Sequence, residues 1–227
     1  MCETYVKAIN EGSVPTIHNA WERMIVEQCE RAKDHALEVY DKRFRRTTRI
    51  PDEDDDDEEE NEEDEEDKRK SSLRKKCRSS IKKLKNRPIE AELLERTHQI
   101  ALEKANETFY HDLSSVDASD VVQEYRDKLS EEVNDKIEHF RKTNDDASRT
   151  YCNTLSKTML ATLKENLSCE KIVEVMNAYR DFLVYALDVY EDLSLGPSRW
   201  EVWSRFTSTD CVVPLLEKMS SVSESIS

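Results

Sequence analysis

The sequence predicts an all-α protein, and three observations predict it. Only two glycines, Gly12 and Gly196, occur in 227 residues, and the tight hairpins of sheet proteins lean on glycine at positive φ. Glu, Lys, Leu and Ala, all good helix formers, dominate the composition. Apolar residues then recur at i, i+3 and i+4 through several long segments. The expected architecture is an elongated bundle of about five helices, with one very long helix shared by two three-helix packings. A disordered acidic and basic insertion is expected to interrupt it.

The first helix is expected to start after Val14-Pro15-Thr16, because Pro15 keeps Val14 extended and Thr16 can cap. Its stripe runs through Ile17, Ala20, Trp21, Met24, Cys29, Ala32, Ala36, Val39 and Tyr40 towards Phe44. A second start lies at Arg87-Pro88, with Glu90 and Glu92 near the positive end of the helix dipole. Ile89, Leu93, Leu94, Ile100, Ala101, Ala105 and Phe109 carry that helix to Leu113.

Ser119 offers the next N-cap. From Val122 through Tyr125, Leu129, Val133, Ile137, Phe140, Tyr151, Leu155, Met159 and Leu163 to Leu167 there is no Pro or Gly. A single helix of nearly fifty residues would be about 70 Å long. Its weak point is Thr143 to Asp146, where polar residues crowd the stripe. Ser168 can cap a fourth helix, Cys169 to Leu193, which Leu195-Gly196-Pro197 ends. The last helix uses Trp200, Trp203, Phe206, Leu215, Leu216 and Met219, with a kink expected at Pro214 and a serine-rich tail after it. Trp21, Phe140, Tyr151, Leu155, Trp200 and Trp203 are the expected helix-packing residues.

Asp52 to Asp67 holds fifteen carboxylates in sixteen residues, and the acids and bases of the rest of the chain balance, so this run supplies the whole net charge of −15. Lys68 to Arg87 follows with eleven bases and no acid. Four apolar residues between Pro51 and Arg87 cannot offset about 1–2 kcal/mol of ordering entropy per residue. Asp52, Asp67, Lys68 and Arg87 therefore bound an electrostatic segment, expected to pair its two halves with each other. The basic half resembles a nuclear-import or anionic-surface patch, and Ser71, Ser72, Ser79 and Ser80 within it could be phosphorylated. Without interleaved aromatics it lacks a stacking platform, which argues against specific nucleic-acid binding.

The same residues exclude much chemistry. Neither glycine stands in a phosphate-cradling loop, so no nucleotide cofactor is expected. Five scattered His and six Cys show no metal-ligand spacing, and no metal is expected. Five cysteines are read as reduced and partly buried, and Cys77 as part of the charged linker. No catalytic residue is expected. The amino terminus has no apolar signal and no apolar run reaches the roughly 18–20 residues of a membrane span. A cytoplasmic location is expected, with nuclear import through 68–87 as its variant.

Tyr5-Val-Lys-Ala-Ile-Asn-Glu-Gly-Ser-Val-Pro-Thr-Ile17 and the helix after it resemble the passage from GTPase domain to helical stalk in guanylate-binding proteins, large GTPases of the dynamin superfamily. Phe140, Lys142, Asn144, Ala147, Ser148 and Cys152 resemble the F-x-K-x-N-x-x-A-S-x-x-x-C signature of that family's long middle helix. The block Glu27 to Ala32 is nearer to guanylate-binding-like proteins of plants and protists than to vertebrate ones. Atlastins share a related but shorter stalk followed by membrane spans. The resemblance covers Tyr5 to about Met219, outside the charged insertion.

The resemblance implies a helical stalk over 16–50 and 88–221, a junction at 1–15, the charged insertion at 51–87 and a tail at 222–227. It implies that GTP and Mg²⁺ belong to a family GTPase domain outside this chain, that the chain itself is no enzyme, and that Gly12 and Pro15 form the hinge into the stalk. Implied partners are that domain in cis or in trans, a second stalk, and a basic protein or anionic surface met by the charged segment. The competing expectation is a stand-alone helical adaptor acting through residues 52–87.

Overall fold

The computed structural model describes residues 15–47, 65–84, 86–116, 120–167 and 171–224, and their side chains except at 15–21, 46–47, 65–66 and 224. The described residues are mostly helical. The helices are α1 (Pro15–Thr47), α2 (Glu65–Ile81), α3 (Ala91–Asp112), α4 (Asp120–Asn166), α5 (Ile172–Leu193), α6 (Arg199–Arg205), a π-helical turn (Phe206–Asp210) and α7 (Val212–Glu224). The chain divides into two compact units, one of 1–51 with 94–139 and one of 52–93 with 140–227. Helix α4 supplies its first half to one and its second half to the other.

In the first unit each helix buries a line of residues at mostly four-residue spacing, the repeat that keeps side chains on one face. Cys29, Ala32, Ala36, Tyr40 and Phe44 do so on α1, Leu94, Ala101, Ala105 and Phe109 on α3, and Tyr125, Leu129, Val133 and Ile137 on α4. Polar ties fix direction. Lys33 reaches Glu132 at 2.6 Å and Lys136 reaches Asp41 at 3.0 Å, so α1 and α4 ascend together. His35 meets Asp112 at 2.6 Å and Tyr40 meets His98 at 2.9 Å, so α3 runs against α1. Lys33 is nearly buried, and its hydrogen bond to the Glu132 carboxylate keeps the ammonium charged by raising its pKa against the cost of burial.

The second unit packs one continuous core of Leu73, Cys77, Tyr151, Leu155, Met159, Leu163, Phe182, Ala186, Val189, Tyr190, Val202, Phe206, Cys211 and Leu215, with others around them. Asn166 donates to the Tyr185 hydroxyl at 2.7 Å while Ser148 reaches Leu195, so α5 runs against α4. Arg149 pairs with Glu201 and Arg205 with Asn153, so α6 runs with α4. Trp203 lies between Tyr190 and Phe206, with ring centroids 4.8 and 5.4 Å away.

Several expectations need correction. The insertion is not disordered at 65–81, because Leu73, Cys77, Ile81 and Leu84 follow one another at spacings of four, four and three and form a stripe that docks on the core. Cys77 is therefore fully buried and not a linker residue. This helix also gives the second unit more than the three helices expected. The last helix is interrupted just ahead of Pro214. It widens where the Cys211 N–H bonds the Phe206 carbonyl five residues back, and Pro214 then sits in the first turn of α7, where N–H groups are spare.

Trp200 is 47% exposed and not a packing residue. Val202 and Phe206 set the inward direction of α6, and Trp200 lies about 200° around the helix from Val202. Val222, expected in the tail, is buried because it extends the line of Leu215 and Met219. Pro15 itself is the first helical residue, ahead of the expected cap Thr16, a position where its missing N–H is harmless. Helix α5 begins at Ile172 after an extended Lys171, later than expected, and the expected caps Ser119 and Ser168 lie outside the described residues.

Because α2 is rich in Lys and Arg, trypsin reports its docking. Leu73→Ala removes the larger of its two fully buried side chains, at a cost of about 2–3 kcal/mol. Tryptic cleavage between residues 68 and 83 should then become on the order of 30- to 160-fold faster, provided opening is rapid relative to cutting.

Candidate functional site

The polar residues that crowd the apolar stripe of α4 are where the helix is gripped. Asn144, Ser148 and Cys152 are four residues apart and lie on one face. All three are buried, at 8%, 0% and 0% exposure. A buried amide or hydroxyl is costly without partners, and here each finds backbone that needs one.

Asn144 Oδ1 accepts from the Ile89 N–H at 2.8 Å, and its Nδ2 donates to the Ile89 carbonyl at 2.8 Å. One side chain thereby satisfies both polar groups of a residue just ahead of α3. Ser148 Oγ donates to the Leu195 carbonyl at 2.8 Å and accepts from the Ser198 N–H at 3.1 Å. Cys152 Sγ adds a weak donation to Leu195 at 3.6 Å. The connection after α5 is thus held against the same helix face as the connection before α3.

Glu90 joins the two connections directly. Its Oε1 accepts from the Gly196 N–H at 3.1 Å and lies 3.6 Å from the Arg199 guanidinium. Gly196 has φ +84°, and a Cβ there would stand 2.7 Å from Ser148 and 3.1 Å from Pro88. Glycine is required twice over, by backbone sign and by lack of room. Asp145 accepts from the Ser198 hydroxyl, and Arg149 bridges Asp145 at 3.2 Å and Glu201 at 3.1 Å. The Ser198 hydrogen bond first, and Arg149 second, hold the Asp145 carboxyl below its usual range. Burial pushes the Cys152 thiol up, leaving it protonated and unreactive at neutral pH.

A second polar cluster docks α2. Lys70 meets Asp188 at 2.6 Å, Arg74 meets Asp192, and Lys76 meets Glu165 at 2.9 Å. The first two pairs ascend together, so α2 runs parallel to α5. The basic half of the charged segment thus finds partners on the helical body. Burial pushes the Cys77 and Cys211 thiols up to about 12, so neither offers a nucleophile.

The expected site residues fall in three groups. Gly12 and Asp52 lie outside the described residues, Pro15 opens α1, and Trp21 lies in α1 with its side chain undescribed. Tyr151 and Leu155 are core residues and Phe140 is half-buried. Asp67, Lys68 and Arg87 are exposed. In the sequence Glu90 and Gly196 read only as helix-start and helix-end residues, and Asn144 and Ser148 only as part of the family signature; none of them, nor Ser198, is expected at a site, yet together they form the clamp. Their signal was a repeat of small polar side chains at 144, 148 and 152 inside an apolar stripe.

Nothing in the clamp suits a nucleotide. The Gly196 N–H, at positive φ, is occupied by a carboxylate, and the Glu90 charge would repel phosphate. Among the described residues, no three His, Cys, Asp or Glu side chains converge as a metal site. No described helix is long and apolar enough to cross a membrane.

A family model described as guanylate-binding protein, C-terminal domain, matches residues 1–69 and 75–200. The interruption, 70–74, falls within α2 and contains Lys70, Leu73 and Arg74. No curated protein and no solved structure matches the chain.

Two substitutions test the clamp. Asn144→Ala leaves the Ile89 N–H and carbonyl unpaired at about 1–3 kcal/mol each, and Gly196→Ala forces a strained φ at about 1–3 kcal/mol before any clash. Each should lower Tm by several degrees, at roughly 2–4 °C per kcal/mol for a chain of this size. The pH dependence has a defined sign. Asp145 stabilises the fold above the unfolded carboxyl pKa of about 3.9, and loses that effect as pH falls through its lower folded value. The Tm difference between wild type and Asp145→Asn should therefore be present at pH 7 and narrow progressively as pH falls below the unfolded carboxyl pKa.

Proposed function

The chain belongs to the guanylate-binding protein C-terminal domain family, and from that premise we propose that it is the helical stalk of a guanylate-binding-protein-like large GTPase. In this reading its work is mechanical. The observation that carries it is α4, 47 residues of helix without a break, gripped at its polar middle by two connections. An unbroken helix with buried, satisfied polar groups resists bending where a weaker sequence would form a joint.

GTP and Mg²⁺ belong, on this reading, to a GTPase domain acting in cis or in trans. The stalk relays that domain's rotation or dimerisation to partner stalks or to a membrane-positioned assembly, and performs no bond chemistry itself. In this reading the hinge lies ahead of α1, supported by the torsional freedom of a glycine at 12 and the fixed φ of a proline at 15. Reduced, buried cysteines suit work in the cytoplasm.

A second reading, an adaptor acting through the charged segment, is favoured by the exposed Lys68, Arg69, Lys75, Lys82 and Lys83. Against it stand Lys70, Arg74 and Lys76, which are engaged on α4 and α5. Deleting residues 52–87 would also remove core residues, so the comparison uses Glu in place of the five exposed bases. Partner capture that survives this change at low salt supports the stalk, whereas its complete loss supports the adaptor.

The stalk reading is tested by joining the chain to a family GTPase domain and measuring interdomain distances in different nucleotide states. Gly12→Pro should suppress the nucleotide-dependent change in distance. Motion as large as in the parent would refute the hinge.

A further inference from the structure

Helix α2 is held by little apolar surface. In seventeen residues it has Leu73 and Cys77 fully buried and Ile81 partly so. Its salt bridges to Asp188, Asp192 and Glu165 involve acids at least half exposed, and such pairs contribute about 0–1 kcal/mol each. Near its end a hydroxyl pair ties it to α4. Thr158 Oγ1 donates to Ser80 Oγ at 2.9 Å, and Ser80 Oγ donates to the Lys76 carbonyl at 3.0 Å.

Ser80 stands in Arg78-Ser79-Ser80-Ile81-Lys82-Lys83, with bases on both sides. An acidic kinase cleft recognises such a segment by charge. We propose that Ser80 is a phosphorylation site for a basophilic Ser/Thr kinase, and that its modification releases α2 from α4. This inference stands apart from the stalk reading and does not depend on it.

The transfer uses ATP. The bond between Ser80 Oγ and the γ-phosphorus forms, the bond from that phosphorus to the β–γ bridging oxygen breaks, ADP leaves, and the hydroxyl proton passes to the kinase's base. The product adds about −1.5 to −2 charges where a neutral hydroxyl sat. Among the described residues, the threonine hydroxyls on the facing side of α4 are already committed. Thr158 shares its one hydroxyl proton between Ser80 and the Thr154 carbonyl, and the Thr154 and Thr162 hydroxyls donate to carbonyls of their own helix. On α2 itself Lys76, four residues back, can turn to the phosphate, which draws it from Glu165 and loosens a second tie. Ser72 and Ser79 differ, being exposed on the outer face, where phosphate would meet water and leave the interface intact.

Cys77 is the reporter, with Cys211 as the internal control, since both are buried in one core. The full chain is incubated with Mg-ATP and a kinase selecting bases at −2 and +2. Sites are then mapped by mass spectrometry, and N-ethylmaleimide labelling of each cysteine is timed. Phosphate on Ser80 with Cys77 labelling at least about tenfold faster, a shift of about 1.4 kcal/mol in the opening equilibrium, and Cys211 unchanged, supports the proposal. Ser80→Ala should keep Cys77 slow under the same treatment, and Ser80→Glu should accelerate it without kinase. The proposal is overturned if Ser79 or Ser72 fills while Ser80 stays unmodified, if phosphorylated Ser80 leaves Cys77 slow, or if Cys211 accelerates equally.

Discussion

The structure depends most on the pairing of the Asn144 side chain with both backbone groups of Ile89. A 47-residue helix would be expected to weaken where its apolar stripe is broken by polar residues, yet α4 continues through that place. It continues because the polar residues have work that apolar ones could not do. A leucine at 144 would bury more carbon but leave an N–H and a carbonyl of the preceding connection without partners, and the penalty for unpaired buried groups exceeds the gain of a methylene or two. Ser148 repeats the argument one turn later with Leu195 and Ser198, and Gly196 is the residue that lets the second connection approach closely enough to be held.

Charge plays a different part in the two units. Between α1 and α4 the pairs Lys33 with Glu132 and Lys136 with Asp41 are partly shielded and fix register between helices whose apolar lines alone would allow sliding. At α2 the pairs are more exposed and supplement a small apolar contact. The same chemistry thus specifies alignment in one place and holds a marginal helix in the other, with solvent exposure making the difference.

Most of the helical framework is legible from periodicity. The bounds of α4 and the end of α5 at Leu193 follow from apolar spacing and from Leu195-Gly196-Pro197. Helix α2 is invisible to a count of apolar residues: four in 37 residues is too few for a core, but 73, 77, 81 and 84 make one face that borrows the core of other helices. Trp200 and Trp203 are indistinguishable by size and polarity, and Val202 and Phe206 decide which of them turns inward. The π-helical turn at Phe206–Asp210 has no signature in the sequence beyond the nearby Pro214. The clamp was half legible, since the signature residues Asn144, Ser148 and Cys152 carry a family resemblance, but their partners at 89, 195 and 198 are set by tertiary packing alone.

The central claim is that α4 passes through its polar middle without a break. Native-state hydrogen exchange resolved along Asp120 to Asn166 tests it most directly. The account predicts that the amides of Thr143 to Ser148 exchange as slowly as those around Leu129 and Leu155, through the same large-scale opening. Rapid exchange at 143–148 between two slow segments would mean that the middle of α4 is a joint, and would contradict it.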